Sequence, residues 1–302
     1  MTSEAELIAL FAARTGAARA DVVLGIGDDA AVLAPRAGHE LVLCTDTLVA
    51  GVHFPEVTDA ASIGHKSLAV NLSDLAAMGA EPAWATLALT LPAPDADWVA
   101  AFADGFCALA ARHGLQLVGG DMTRGPLSVT VTAAGQVPAG GALSRAGARA
   151  GDALFVTGAL GDAALALAAL QRGAEPAPGL RARLDRPDPR VADGLALRGI
   201  ASAAIDVSDG LLRDLDRLLA GTRLGATVLL DALPRSDAFV AAGGVTGMQL
   251  HGGDDYELLF TARADCPRGT RIGAIEPTPG VICIDGAGRP VTTERRGYDA
   301  FQ

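Results

Sequence analysis

Two mixed α/β domains are what this 302-residue chain predicts. Three features say so. Helix-like and strand-like segments alternate from the start, a Pro138-Ala139-Gly140-Gly141 break interrupts them, and the alternation then begins again. The expected division is 1–140 and 144–302, with α/β (α+β) character in both halves and no repeat of 20–50 residues.

The elements follow in order. Glu4 to Ala13 sets Leu7, Ile8, Leu10 and Phe11 at helical spacing. Val22 to Ile26 is a short strand-like run ending in Gly27-Asp28-Asp29, and Glu40 to Cys44 is another, closed by Thr45-Asp46-Thr47. Ser62 to Met78 reads as a helix stopped by Gly79, Trp84 to Leu91 as a strand ended by Pro92, and Asp97 to His113 as a helix stopped by Gly114. Leu115 to Val118 should be a strand ending in Gly119-Gly120-Asp121. Ser128 to Val137 alternates and is rich in Val and Thr, so it is a strand as well.

The second half opens with the strand Ala153 to Thr157, the turn Gly158 to Asp162 and a helix from Ala163. Gly173 to Pro189 is Pro-rich and reads as a loop. Ala203 to Val207 is a strand that leads through Ser208-Asp209-Gly210 into the helix Leu211 to Leu219. Gln249 to Leu259 carries Gly252-Gly253-Asp254-Asp255 before a last β-like segment.

Composition narrows the function. Half the residues are hydrophobic and 20% charged, which excludes a mainly disordered chain. A net charge of −11 argues against a nucleic-acid or anionic-membrane surface. No apolar run reaches the ~18 residues of a spanning helix. The N-terminus has two acids and no basic region, unlike a signal peptide. The cysteines (Cys44, Cys107, Cys266, Cys283) form no C-x-x-C pair and are expected as reduced thiols in the cytoplasm. Lys66 is the one lysine, and neither a P-loop nor a G-x-S-x-G elbow is present. If such an acidic chain handles phosphates, metal ions are the obvious means of attracting them.

Acids recur where apolar runs stop: Asp28-Asp29, Asp46, Asp121, Asp206 with Asp209, and Asp254-Asp255. Ser67, Asn71 and Asp74 add a polar stripe on one face of an otherwise apolar helix. Each alone is an ordinary turn or cap, as we read Asp162 and Asp185. Together they place carboxylates at the strand ends where α/β folds bind ligands. Two charges ~4 Å apart repel by ~4 kcal/mol at an effective dielectric near 20, so such a cluster calls for cations. Mg2+ fits oxygen donors of this kind, and neighbouring glycines let backbone N–H groups reach phosphates.

The stretches LGIGDDAA (24–31), TDTLVAGVHF (45–54), KSLAVNLSDLAAMGAEP (66–82), GGDMTRG (119–125), DVSDGL (206–211) and GGDDYEL (252–258) resemble, in this order, those of the thiamine-monophosphate kinase family. Its superfamily also holds aminoimidazole-ribonucleotide synthetase and selenophosphate synthetase. The resemblance implies a two-domain synthetase-like fold, an N-terminal mixed sheet that pairs in a homodimer, and ATP in a cleft lined by the acids. It implies magnesium-assisted, direct in-line phosphorylation of thiamine monophosphate to thiamine diphosphate with no general base. K+ is a further candidate cation. Residue by residue it assigns Asp29, Asp46, Asp74, Asp121 and Asp206 to magnesium, Cys44 and Thr45 as added oxygen donors (Cys44 through its main chain), and Asp209 to a further ion. Gly120, Asp121, Arg145 and Ser208 fall to ATP, and His53, Asp254 and Tyr298 to the thiamine substrate. Asp254 stands where many relatives carry Glu.

The superfamily rivals lack their marks here: there is no N-terminal reactive Cys-Lys pair as in selenophosphate synthetase, and no C-terminal Cys as in the hydrogenase maturation factor. A non-catalytic nucleotide-binding protein stays open at this point, to be separated by turnover.

Overall fold

The computed structural model describes residues 3–15, 18–293 and 297–298. The chain divides into two compact units, Met1–Leu75 with Ala80–Gly140, and Ala76–Gly79 with Gly141–Gln302.

The first unit starts with α1 (Glu4–Ala12), closed at its N-terminus by a capping box between Ser3 and Glu6. A small antiparallel pair follows, β1 (Val22–Leu24) and β2 (Val32–Leu33). Then come β3 (His39–Val49), α2 (Ala60–Ala77), β4 (Glu81–Leu91), α3 (Ala96–Arg112), β5 (Gln116–Arg124) and β6 (Ser128–Pro138). The last four strands form one mixed sheet in the order β3-β6-β4-β5, with only the β4–β5 pairing parallel. Asp95 caps α3 by accepting from Trp98 N–H, and Val99, Phe102, Ala103, Phe106 and Ala110 bury one face of it. In β6, Val129, Val131 and Ala133 are buried while the residues between them face the other way.

Two strands are longer than the sequence suggests. Thr45-Asp46-Thr47 lies inside β3, because Thr45 and Thr47 pair with Thr132 and Thr130 of β6, hydroxyl to hydroxyl at 2.8 Å in both cases. Gly119-Gly120-Asp121 lies inside β5, which continues past its glycines alongside β4 after a register shift. Asp46 and Asp121 are therefore mid-strand residues.

The second unit runs β7 (Ala153–Val156), α4 (Asp162–Gln171), α5 (Pro178–Asp185), α6 (Val191–Leu197), β8 (Ala203–Val207), α7 (Leu211–Leu219), β9 (Gly225–Leu229), α8 (Asp237–Ala241), α9 (Thr246–His251), β10 (Glu257–Ala262), β11 (Thr270–Glu276), β12 (Gly280–Ile284) and β13 (Pro290–Val291). The seven strands form one sheet, β13-β12-β9-β11-β7-β10-β8, in which only β9–β12 is parallel. In α7, Leu211, Leu212, Leu215, Leu218 and Leu219 repeat at helical spacing and join the core of this sheet. The segment read as a Pro-rich loop contains α5, which Pro178 starts at its first turn, where its missing N–H costs nothing.

The mixed α/β class holds. Among the described residues no helix is long and apolar enough to cross a membrane. The four cysteines are free thiols.

Candidate active site

In the first unit, β5, α1 and the loop after β1 enclose a cavity of about 440 Å³. Among the described residues its wall carries Glu4, Asp28, Asp29 and Asp121, with Gly27, Gly119 and Gly120, and no basic side chain. Asp28, Asp29 and Asp121 are exposed, and Asp29 N–H donates to Asp28 Oδ1 at 2.8 Å. Gly120 is demanded by the fold itself. A Cβ there would sit 1.9 Å from the Leu87 carbonyl oxygen of β4.

Asp46 stands elsewhere on the same sheet. It shares a row with Val131, Leu87 and Gly120, across the full width from β3 to β5. That is three strand spacings, about 14 Å. Alternation along β3 puts Cys44 and Asp46 on one face and Thr45 and Thr47 on the other. The Cys44 thiol donates to the Asn71 carbonyl oxygen at 3.4 Å. The polar stripe of α2 therefore lies over the Cys44–Asp46 face. Within the stripe, Ser67 Oγ donates to the Gly64 carbonyl and Asn71 Nδ2 to the Ser67 carbonyl, both buried, while Asp74 is half-buried. The Thr45 hydroxyl, bonded to Thr132, is on the far side from Asp46. His53, half-buried, accepts the Val49 N–H at Nδ1 (3.0 Å), which leaves its proton on Nε2 when neutral.

In the second unit the named residues gather at the C-terminal end of β8. Asp206 is buried on that strand, and Ser208 and Asp209 form the turn after it. Both backbone N–H groups of this turn donate to Asp214 Oδ2, at 3.0 and 2.9 Å. Burial pushes the Asp214 carboxyl above the usual range, against the pull of the Asp209 N–H and of Arg217. The Asp209 carboxyl meets Arg217 at 2.5 Å and Arg213 at 3.9 Å.

The segment 252–256 crosses this turn. Asp254 N–H donates to the Ser208 carbonyl and Tyr256 N–H to the Val207 carbonyl, each at 2.8 Å. A Cβ on Gly253 would fall 2.6 Å from that Ser208 oxygen, so only glycine lets the two backbones approach. Tyr298, 45% exposed, donates its N–H to the Asp209 carbonyl. Asp206, Ser208, Asp209, Asp254 and Tyr298 thus surround one strand end. Arg145 is exposed on a short 3-10 turn, Arg145–Gly147, elsewhere in this unit.

Behind this segment lies a polar network that sequence reasoning missed. The Glu257 carboxylate is fully buried. Arg190 grips it with Nε at 2.7 Å and Nη2 at 2.6 Å, Arg183 Nη2 donates at 2.9 Å, and Thr157 Oγ1 at 2.6 Å. Arg183 also donates to the Asp255 carbonyl. The Asp255 carboxylate accepts the Gly161 N–H at the start of α4 with both oxygens. The available signal was the three acids in Asp254 to Glu257, since buried acids need cations. The arginines that answer Glu257, Arg183 and Arg190, are 74 and 67 residues away, in and just past the Pro-rich segment. Asp162 accepts from Ser236 Oγ and Asp185 pairs with Arg181, as fits plain structural residues.

Within either unit, among the described residues, no three His, Cys, Asp or Glu side chains stand together as a metal-ligating group. The carboxyl-lined cavity nonetheless fits a divalent cation in its chemistry: hard oxygen donors, exposed, with no cationic side chain among the described residues of the wall.

Residues 27–137 match the family described as AIR synthase related protein, N-terminal domain. The thiamine-monophosphate kinase of Salmonella typhimurium is 47% identical, over 99% of this chain and 98% of its own length. The crystal structure of the Stenotrophomonas maltophilia thiamine-monophosphate kinase superposes with a TM-score of 0.87 at 51% identity, covering 94% of this chain and 96% of that one. A structure of AaThiL complexed with AMPPCP and TMP superposes with a TM-score of 0.81 at 30% identity, covering 88% and 89%.

Proposed function

The chain belongs to the thiamine-monophosphate kinase family, and from that premise we infer that it phosphorylates thiamine monophosphate with ATP, giving thiamine diphosphate and ADP. The observation that carries this reading is the full-length likeness to curated kinases at 47% identity, joined to a structural relative that holds an ATP analogue and TMP.

The acceptor oxygen belongs to a phosphate whose second pKa is near ~6, so it is already ionised at pH 7 and needs no general base. The bond from the γ-phosphorus to its bridging oxygen breaks as the bond to the acceptor oxygen forms, and ADP leaves. Bound Mg2+ would screen the repulsion between the two polyanions and the charge on the transferred group. Asp29 and Asp121 are the carboxylates best suited to hold it, with Asp46, Asp74 and Asp206 as further ligands. The separation of Asp46 from Asp121 across the sheet favours several ions over one shared ion. The Cys44 and Thr45 contribution then falls to backbone carbonyls, since the thiol is turned to Asn71 and the hydroxyl to Thr132. Asp209 would have to exchange Arg217 for a cation. K+ is proposed as a monovalent companion.

For ATP, Gly120 and Asp121 act from β5, and Arg145 offers an exposed guanidinium. Ser208 would act through its hydroxyl, because Asp214 takes its N–H. His53 through Nε2, the Asp254 carboxylate and the Tyr298 ring are proposed to meet the thiamine moiety. Leu41 and Leu43 lie exposed on edge strand β3, and we propose that a second copy of the chain covers this apolar edge. A cytoplasmic location goes with this cofactor chemistry.

A turnover assay with thiamine monophosphate beside unphosphorylated thiamine tests the reading. ADP should form with the monophosphate, in the presence of Mg2+, and not with thiamine. No turnover of the monophosphate by folded, ATP-binding protein would identify a binder.

A further inference from the structure

We propose that Tyr256 is a positioning residue for Asp254, holding the carboxylate that receives the cationic end of the thiamine substrate. This rests on the reading of Asp254 given above and adds to it the means by which that carboxylate is aimed.

Three observations carry it. First, Asp254 and Tyr256 both adopt left-handed backbone, φ 66° and 51°, the two non-glycine residues among those described that do so. Such geometry is unusual for any side chain, and more so for a bulky one, and it persists where the surroundings enforce it. Second, the surroundings do enforce it. The Asp254 and Tyr256 N–H groups are tied to the Ser208 and Val207 carbonyls, the Asp255 carbonyl to Arg183, and the Asp255 carboxylate to the Gly161 N–H. Third, this backbone folds the Tyr256 side chain back on its neighbour. The phenol donates to Asp254 Oδ1 at 2.9 Å. Tyr256 is 7% exposed, so its phenol is packed into the fold, while Asp254 itself stays half-exposed at the strand end shared with Asp206, Ser208 and Tyr298.

An ordinary turn carboxylate would sample several rotamers, and each bound substrate would have to select one. A buried phenol that fixes one oxygen removes that freedom before binding. Because Asp254 is one methylene shorter than Glu, its reach depends more closely on that rotamer.

Tyr256→Phe keeps the ring and removes only the donor. Steady-state kinetics should show the KM for thiamine monophosphate rising about five- to tenfold, as for a lost hydrogen bond to a charged group, with the KM for ATP and kcat moving less than about twofold. The same substitution made in an Asp254→Ala chain should add less than about twofold, because the residue it orients is gone. Calorimetric binding of thiamine monophosphate gives the same comparison without turnover. If Asp254→Ala raises the thiamine-substrate KM but Tyr256→Phe does not, or if the two effects multiply in the double variant, positioning by Tyr256 is wrong while recognition by Asp254 stands. If Asp254→Ala leaves that KM unchanged, the recognition itself is wrong and the proposal goes with it. An equal loss of affinity for both substrates together with a lowered melting temperature would reduce Tyr256 to a packing residue.

Discussion

The cavity acids of the first unit and the arginine-paired acids of the second are held in opposite ways. Glu4, Asp28, Asp29 and Asp121 share a cavity wall that, among the described residues, contains no basic side chain. In the second unit, Asp209, Asp214 and Glu257 each meet at least one guanidinium, from Arg213, Arg217, Arg183 or Arg190. A carboxylate already answered by arginine has its charge met within the fold, and at Asp209 a cation would first have to displace Arg217. One that faces a cavity beside other acids is open to a mobile cation, and repulsion from its neighbours raises the energy of leaving it without one. The difference separates carboxylates whose charge the fold already meets from carboxylates left to a cation.

The largest effect should come from the open set. Asp121→Asn and Asp29→Asn should each lower kcat by about a thousandfold, the equivalent of ~4 kcal/mol of transition-state stabilisation. The melting temperature should hold or rise, because a repelling charge has been removed. Kinetics beside thermal unfolding checks both. Near-normal rates, or unfolding without a specific rate loss, would break the comparison.

The paired set should respond the other way round. Glu257→Gln leaves the half-buried Arg183 and Arg190 around a neutral amide and should cost about 3 kcal/mol of stability, measured by denaturant unfolding. Activity per folded molecule should fall much less than in Asp121→Asn. A stable but inactive Glu257→Gln protein would move Glu257 into the working set.

Which set an acid belongs to could not be seen locally. The helix Leu211–Leu219 was legible because its leucine spacing lies within nine residues. The Gly-Asp pattern was equally visible, and the cavity does collect Asp29, Gly120 and Asp121 from it. The interior position of Asp46 in β3 was hidden, since it depends on Thr130 and Thr132, more than 80 residues away. So was α5: its Pro and Arg content reads as a loop until Leu180 and Leu184 find Phe239 of α8. Arg183 and Arg190 gain their meaning only from Glu257. Local periodicity and motifs are carried by neighbours in sequence, whereas charge compensation is a property of the folded neighbourhood.

Asp255 gives the smallest effect and the finest test, because it is a buried acid of the second unit whose carboxylate is answered mainly by a backbone N–H. Burial pushes its carboxyl well above the usual range, outweighing the Gly161 N–H and Arg183, which favour the ionised form. An acid raised in the folded state binds its proton more tightly there than in the unfolded chain. Its stabilising contribution is complete below the ordinary Asp pKa of about 4 and is lost as pH rises toward the folded value. Asp255→Asn cannot titrate, so whatever constant cost the amide brings, the variant should gain on the parent by up to ~1.4 kcal/mol for each pH unit crossed in that window. Unfolding midpoints of both proteins across that range measure the slope. Parallel curves would mean that Arg183 compensates Asp255 as fully as it does Glu257, and the two buried acids of this network would then be of a single kind.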